Sequence, residues 1–159
     1  MGCPSASAQW RQPNSESRPS RAGEEKDRSN VHEPDRNPTY FAPVDIAADL
    51  MDEITKYVMN ESRCPKKWRY ALGFDLIRKA DEIFDSADYA NGIWLTAEHV
   101  KERRKYWQRA AGQIRQLDRR LTRFKNVVPT ANADNMKEIF RLLHDEKAAI
   151  SDRLKKERG

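Results

Sequence analysis

At 159 residues the chain fits a single domain, and with 38% hydrophobic against 35% charged residues its core must come from well-placed apolar stripes. No apolar run approaches the roughly twenty residues of a membrane span, and the first eight residues lack the basic start and apolar stretch of a secretory signal, so a cytoplasmic location without membrane contact is expected. Two cysteines, Cys3 and Cys64, make neither a disulfide framework nor a metal spacing, and the net charge of +5 leans toward anionic partners.

Residues 2–39 are Ser, Pro, Arg, Glu, Asn and Gln with one Trp (Trp10), one Val (Val31) and no helical period. Such a segment cannot bury enough apolar surface to offset its ordering entropy. Its six cations and six acids cancel, so the surplus charge belongs to the helical part of the chain. The chain therefore divides into a disordered polar tail over 1–42 and a helical domain over 43–159.

The first helix is expected to open at Pro43, with Phe41 and Ile46 at the two positions of a hydrophobic staple. Ile46, Leu50, Ile54, Tyr57 and Val58 then recur at helical spacing. The second helix runs from about 65 to 90. Its apolar residues, Leu72 and Phe74 to Phe84 and Ala87, spread over roughly 200° of circumference. One neighbour needs only about half that width, so this helix is central or also touches a second subunit. Gly73 inside it costs about 1 kcal/mol relative to Ala, which close approach of another backbone would justify. Tyr70, Gly73, Phe74 and Ile77 are the candidate oligomer contacts. Asn91-Gly92 should end the helix with a left-handed glycine.

Thr96 reads as the N-cap of a third helix, with a Leu95/Val100 staple. Val100, Trp107, Ala111, Ile114, Leu117, Leu121, Phe124 and Val128 follow in steps of three and four, apart from one step of seven, and Pro129 ends the run. A fourth helix after the 130–134 turn carries Met136, Ile139, Phe140, Leu143, Ile150 and Leu154 on one side. Four helices with short links predict an all-α, antiparallel up-down four-helix bundle.

Charge is unevenly placed on that frame. Between Glu98 and Asn126 there are ten cations against three acids, a surplus of seven that exceeds the whole chain's. Lys66, Lys67 and Arg69 stand in the first turn of the second helix, where its dipole favours acids by about 0.3–1 kcal/mol each. Cations held at that cost suggest an anionic partner, and a helix N-terminus offers N–H groups to phosphate as well. Antiparallel packing would bring Arg115, Arg119, Arg120, Arg123 and Lys125 of the third helix toward this end. The resulting basic pole is the footprint of a nucleic-acid binder. Trp68, between Lys67 and Arg69, is the candidate for base stacking.

The stretch Pro65-Lys66-Lys67-Trp68-Arg69-Tyr70-Ala71-Leu72-Gly73 resembles the Pro-Lys/Arg…Arg-Tyr-x-Leu-Gly opening of the second helix in a family of small bacterial bundles. The family includes the Avd accessory proteins of diversity-generating retroelements and the proteins encoded in ribosomal-RNA intervening sequences. The likeness covers about residues 44–154. It implies a non-enzymatic bundle that assembles into a basic, homo-oligomeric ring, pentameric in Avd, and binds RNA or DNA together with the element's reverse transcriptase. The long polar tail departs from the pattern. So does the lack of the Gly-Trp segment often found near the end of Avd proteins, since this chain finishes its last helix in Asp152-Arg153-Leu154-Lys155. An interaction bundle of the intervening-sequence type, with no polymerase partner, is the alternative.

Little points to catalysis. His32, His99 and His144 lie on separate elements without a metal-ligand spacing. No serine or cysteine has an evident base, and no glycine-rich phosphate loop is present, so neither a cofactor nor a metal is expected. The pairs Asp81/Asp85 and Glu82/Asp85 stand at a helical spacing that could hold a metal, but a solvated acidic face is the preferred reading.

Overall fold

A computed structural model describes Gly2 and residues 38–157, with side chains from Ala42 onward. The tail therefore lies outside the described residues as far as residue 37, apart from Gly2, and Phe41 as a staple partner lies outside them too. The described chain is all-α, with four helices and no strand among the described residues.

Helix α1 spans Pro38–Met59 and so opens five residues ahead of Pro43. Pro38 suits the first position, because its ring presets the helical φ and its missing N–H has no intrahelical use there. Ala47, Leu50, Ile54, Tyr57 and Val58 form its buried stripe. Beyond Met59 the side chain of Asn60 builds the turn, its Oδ1 accepting from the Ser62 N–H (3.0 Å) and hydroxyl (2.6 Å).

Helix α2 is composite: a turn over Lys66–Trp68, a π-helical stretch over Arg69–Gly73, and an α-helix over Phe74–Gly92. Pro65 sits one residue outside it, and its carbonyl accepts from Trp68 N–H and Arg69 N–H at 2.9 and 3.1 Å. Both ends of the widened turn are held against α1. Gly73 is pressed against α1 so closely that a Cβ there would stand 2.7 Å from Val58 Cγ1. Arg69 turns inward, and its guanidinium donates to the carbonyls of Val58 (3.0 Å), Met59 (3.3 Å) and Cys64 (3.3 Å). The first two are carbonyls left without intrahelical partners where α1 ends. Gly73, Leu76, Ala80, Ile83, Ala87 and Ala90 then run inward in alternating steps of three and four. No described residue has a positive φ. Gly92 is thus the last helical residue, and Ile93 leaves the helix through an extended backbone rather than a left-handed glycine.

Helix α3 spans Val100–Val127. Thr96 caps the turn leading into it, its Oγ1 accepting from His99 N–H at 3.3 Å and its carbonyl from Val100 N–H at 2.9 Å. Leu95 closes no staple; it is largely exposed. The seven-residue step in the apolar row is filled by Arg103, which is 2% exposed, and Ala110 rather than Ala111 takes the next inward position. Val128 follows in extended backbone just before Pro129.

Helix α4 spans Lys137–Lys156. Its approach is held by a reciprocal pair: Asn135 N–H donates to Asn132 Oδ1 (2.8 Å), and Asn132 N–H to Asn135 Oδ1 (3.1 Å). The exchange has the reciprocal form of a capping box but lies in the turn ahead of the helix, whose own N-cap position is Met136. The seven-residue step from Leu143 to Ile150 is filled by Glu146, which is fully buried.

Each of α1 and α3 packs against both α2 and α4. One contiguous core includes Leu50, Ile54, Ile83, Trp107, Ile114, Leu117, Leu121, Phe124, Met136 and Ile150. Tyr57 ties α1 to the others, with its ring edge-on to Phe124 and its hydroxyl donating to Asn135 Oδ1 at 2.8 Å. No described helix is long and apolar enough to cross a membrane.

Candidate nucleic-acid interface

The eight cations expected to bind phosphate divide by what they touch. Arg69 is committed to the end of α1 through its three carbonyl contacts. Arg120 pairs with Asp75 of α2, which also accepts from Arg78 at 2.5 Å. Lys125 is half-buried, its Nζ 5.6 Å from the centre of the Phe140 ring. Lys66, Lys67, Arg115, Arg119 and Arg123 are exposed. None of those five makes an ion pair among the described residues. A cation at the opening of α2 is thus satisfied in one of three cases by carbonyls of the same chain, which the sequence alone does not distinguish from a need for an external anion.

The exposed cations follow the length of α3 rather than gathering at one end. Lys101, Lys105, Arg109, Arg115, Arg119 and Arg123 all face solvent. At 3.6 residues per turn the five other than Arg115 fall within an arc of roughly 80°, and Arg115 lies about 40° beyond it. From Lys101 to Arg123 the row is about 33 Å long, close to one turn of duplex nucleic acid. Glu98 and Glu102 are exposed near its start, and Asp118 points to a different side of the helix. The row owes its direction to the apolar seam opposite. Trp107, Ala110, Ile114, Leu117, Leu121 and Phe124 are buried, which turns the remaining side outward.

Trp68 is half-buried and packed against the core, with Lys67 Nζ 5.1 Å from its ring centre. The candidate oligomer contacts separate as well. Tyr70 is 67% exposed and meets Phe74, 42% exposed, edge to face at 5.3 Å. Ile77 is half-buried against the core. Gly73 is buried, and the close approach it permits is to Val58 of its own chain.

Two polar features inside the fold carry no motif in the sequence. Arg103 Nε donates to Glu157 Oε1 and Oε2 at 3.0 and 3.1 Å, both side chains being buried. Neither Glu146 oxygen has a hydrogen-bond partner among the described residues, and burial pushes that carboxyl up to about 9. The one signal for Arg103 and Glu146 is the seven-residue step, which leaves an inward position for whatever residue stands midway. No three His, Cys, Asp or Glu side chains come together as a metal site among the described residues.

Compared with protein-family models, curated proteins and solved structures, the chain matches none.

Proposed function

We propose that this chain is a nucleic-acid-binding accessory bundle of the Avd-like kind, in which the outer face of α3 contacts phosphates of RNA or DNA. The observation that carries this reading is the row of six solvent-facing cations on α3, none of them in an ion pair among the described residues. An isolated helix has no use for such a row, because like charges four residues apart repel. Lys66 and Lys67, exposed at the opening of α2, add to the same sign. The cross-helix pairs Asp75 with Arg120, Ser86 with Gln113 and Tyr89 with Tyr106 run in opposite order along α2 and α3, which supports the antiparallel up-down arrangement.

The likeness of residues 65–73 to the Avd helix opening extends the proposal to a homo-oligomeric, pentameric ring and to a reverse transcriptase and its template RNA as partners. The test is binding of labelled RNA and DNA by the full chain and by Arg119→Gln/Arg123→Gln. The double variant should bind more weakly with unchanged helicity. Equal binding would remove the α3 face from the account.

A second reading is favoured by one observation. Tyr70, Phe74, Ile77 and Phe84 line one side of α2 at steps of four, three and seven, and the first two are exposed. That stripe suits contact with a second copy or another protein, with the cations as a solvated face. A protein that self-associates but binds no nucleic acid at low salt would select it.

A further inference from the structure

Near the end of α2, Tyr89 is 64% exposed and its ring stacks on Tyr106 of α3, centroids 5.6 Å apart and planes 19° from parallel. Tyr106 is packed against the core, which makes it the anchored member of the stack. Tyr89 is the outer one and leaves apolar ring surface in water. Two clefts meet at Tyr106, and Tyr89 lines the smaller of them. One of about 340 Å³ is lined by Glu82, Asp85, Ser86, Tyr89, Tyr106, Arg109 and Gln113. The other, of about 570 Å³, is lined by Lys101, Lys105, Tyr106 and Arg109, together with Glu98 and Glu102. Tyr106 and Arg109 belong to both. The smaller cleft is in the size class of small-molecule pockets.

We propose that the Tyr89–Tyr106 stack is a platform for an unpaired nucleobase, and that the nucleic acid this protein takes is single-stranded at that point. The inference rests on the nucleic-acid reading of the α3 row and sharpens it. Every base has a π-face that can stack on an aromatic ring, but in a duplex those faces are already occupied. An outward-facing tyrosine stack beside a line of cations therefore selects strands whose bases are free. The balance of charge assigns the two clefts different parts of the nucleotide, since the smaller sets Glu82 and Asp85 against Arg109 alone, while the larger sets three cations against Glu98 and Glu102. Asp85 lines the smaller cleft without an ion-pair partner among the described residues, and Glu82 beside it is engaged by Lys79 at 2.5 Å. Those carboxylates repel phosphate and accept hydrogen bonds from base N–H groups. The backbone then lies on the side of Lys101, Lys105 and Arg109, where the basic row begins.

The experiment uses the full chain and fluorescence anisotropy. The probes are labelled single strands of U or of dT, about twelve nucleotides long, and a hairpin duplex of matched charge. Tyr89→Ala should weaken single-strand binding about tenfold and duplex binding less than twofold, while Tyr89→Phe keeps the wild-type affinity. Circular dichroism confirms that both variants retain helicity, which an exposed position permits. The two single strands distinguish RNA from DNA as the preferred source. Equal single-strand affinity for Tyr89→Ala and wild type overturns the platform while leaving the α3 row in place, as does an equal loss on single strand and duplex. Absence of all binding by the wild type at low salt overturns both.

Discussion

Arg103 and Glu157 form an ion pair out of water, each side chain 3% exposed, where α3 begins and α4 has just ended. The pair sits in a fuller network. Arg103 Nη1 also donates to the Ile93 carbonyl at 2.6 Å, Trp107 Nε1 donates to Glu157 Oε2 at 3.1 Å, and Arg104 Nη1 donates to the Glu157 carbonyl at 3.2 Å. It binds the link between α2 and α3 to the end of α4.

Removing one partner of such a pair leaves the other charge buried and unmatched. Glu157→Ala should therefore lower stability by about 3–5 kcal/mol in urea unfolding. The double variant Arg103→Leu/Glu157→Leu should recover most of that loss, since it removes both charges. Single-variant stability within about 0.5 kcal/mol of wild type would show that the pair is solvated in solution.

Glu146 is the opposite case, a buried carboxyl without a hydrogen-bond partner among the described residues. Its folded value near 9 lies above the ordinary 4.5. The folded state therefore binds a proton that the unfolded state has released. The stability linked to this group is complete below about 4.5 and is lost as pH rises through about 9, with roughly 3 kcal/mol gone by pH 7. Glu146→Gln should flatten the fall in stability between these limits, and Glu146→Met should raise the melting temperature at pH 7. An unchanged pH slope in Glu146→Gln would place the loss elsewhere.

Arg103 and Glu146 show how far the fold is legible in the sequence. Four helices follow from periodicity and punctuation, and Pro129, Thr96 and Pro65 each fall within a few residues of a helix end. Periodicity identifies inward positions only through apolar residues, so Arg103 and Glu146 register as gaps rather than members. Arg69 is obscured for a related reason. Its position marks charge at a helix opening, but only the fold shows it lying over the carbonyls at the end of α1. A hint is present, because Arg69, Gly73, Leu76 and Ala80 continue the inward steps of four and three. The Asp75–Arg120 pair crosses between helices and leaves no trace in local spacing. Pro43 predicts the start of α1 too late, because Pro38 fits the first position equally well.

Gly73 offers a test of close packing. Replacing glycine with alanine inside a helix ordinarily stabilises by up to about 1 kcal/mol. Here the added Cβ would meet Val58 Cγ1 at 2.7 Å. Gly73→Ala should instead cost about 1–3 kcal/mol, the usual penalty of overpacking. Adding Val58→Ala should return part of it. A stabilised Gly73→Ala would mean that α1 and α2 separate easily.

The proposed assembly is tested through the exposed aromatic stripe. Light scattering should give several times the mass of one chain, and Tyr70→Asp/Phe74→Asp should reduce it while retaining helicity. A wild-type mass of one chain at all concentrations would remove the ring and leave the monomer as the binding unit.

Phosphate binding by the exposed cations on α3 and at the opening of α2 is read from the salt dependence of affinity. Phosphate contacts release counterions, so log affinity against log salt should fall linearly, by about 0.7 per contact for single strands and 0.9 for duplex. Arg119→Gln/Arg123→Gln and Lys66→Glu/Lys67→Glu should each flatten the slope by about 1.4–1.8, while Arg69→Gln, whose side chain is spent on α1, should leave the slope unchanged in whatever fraction stays folded. A wild-type slope near zero, or a slope that none of the exposed replacements changes, would contradict the account.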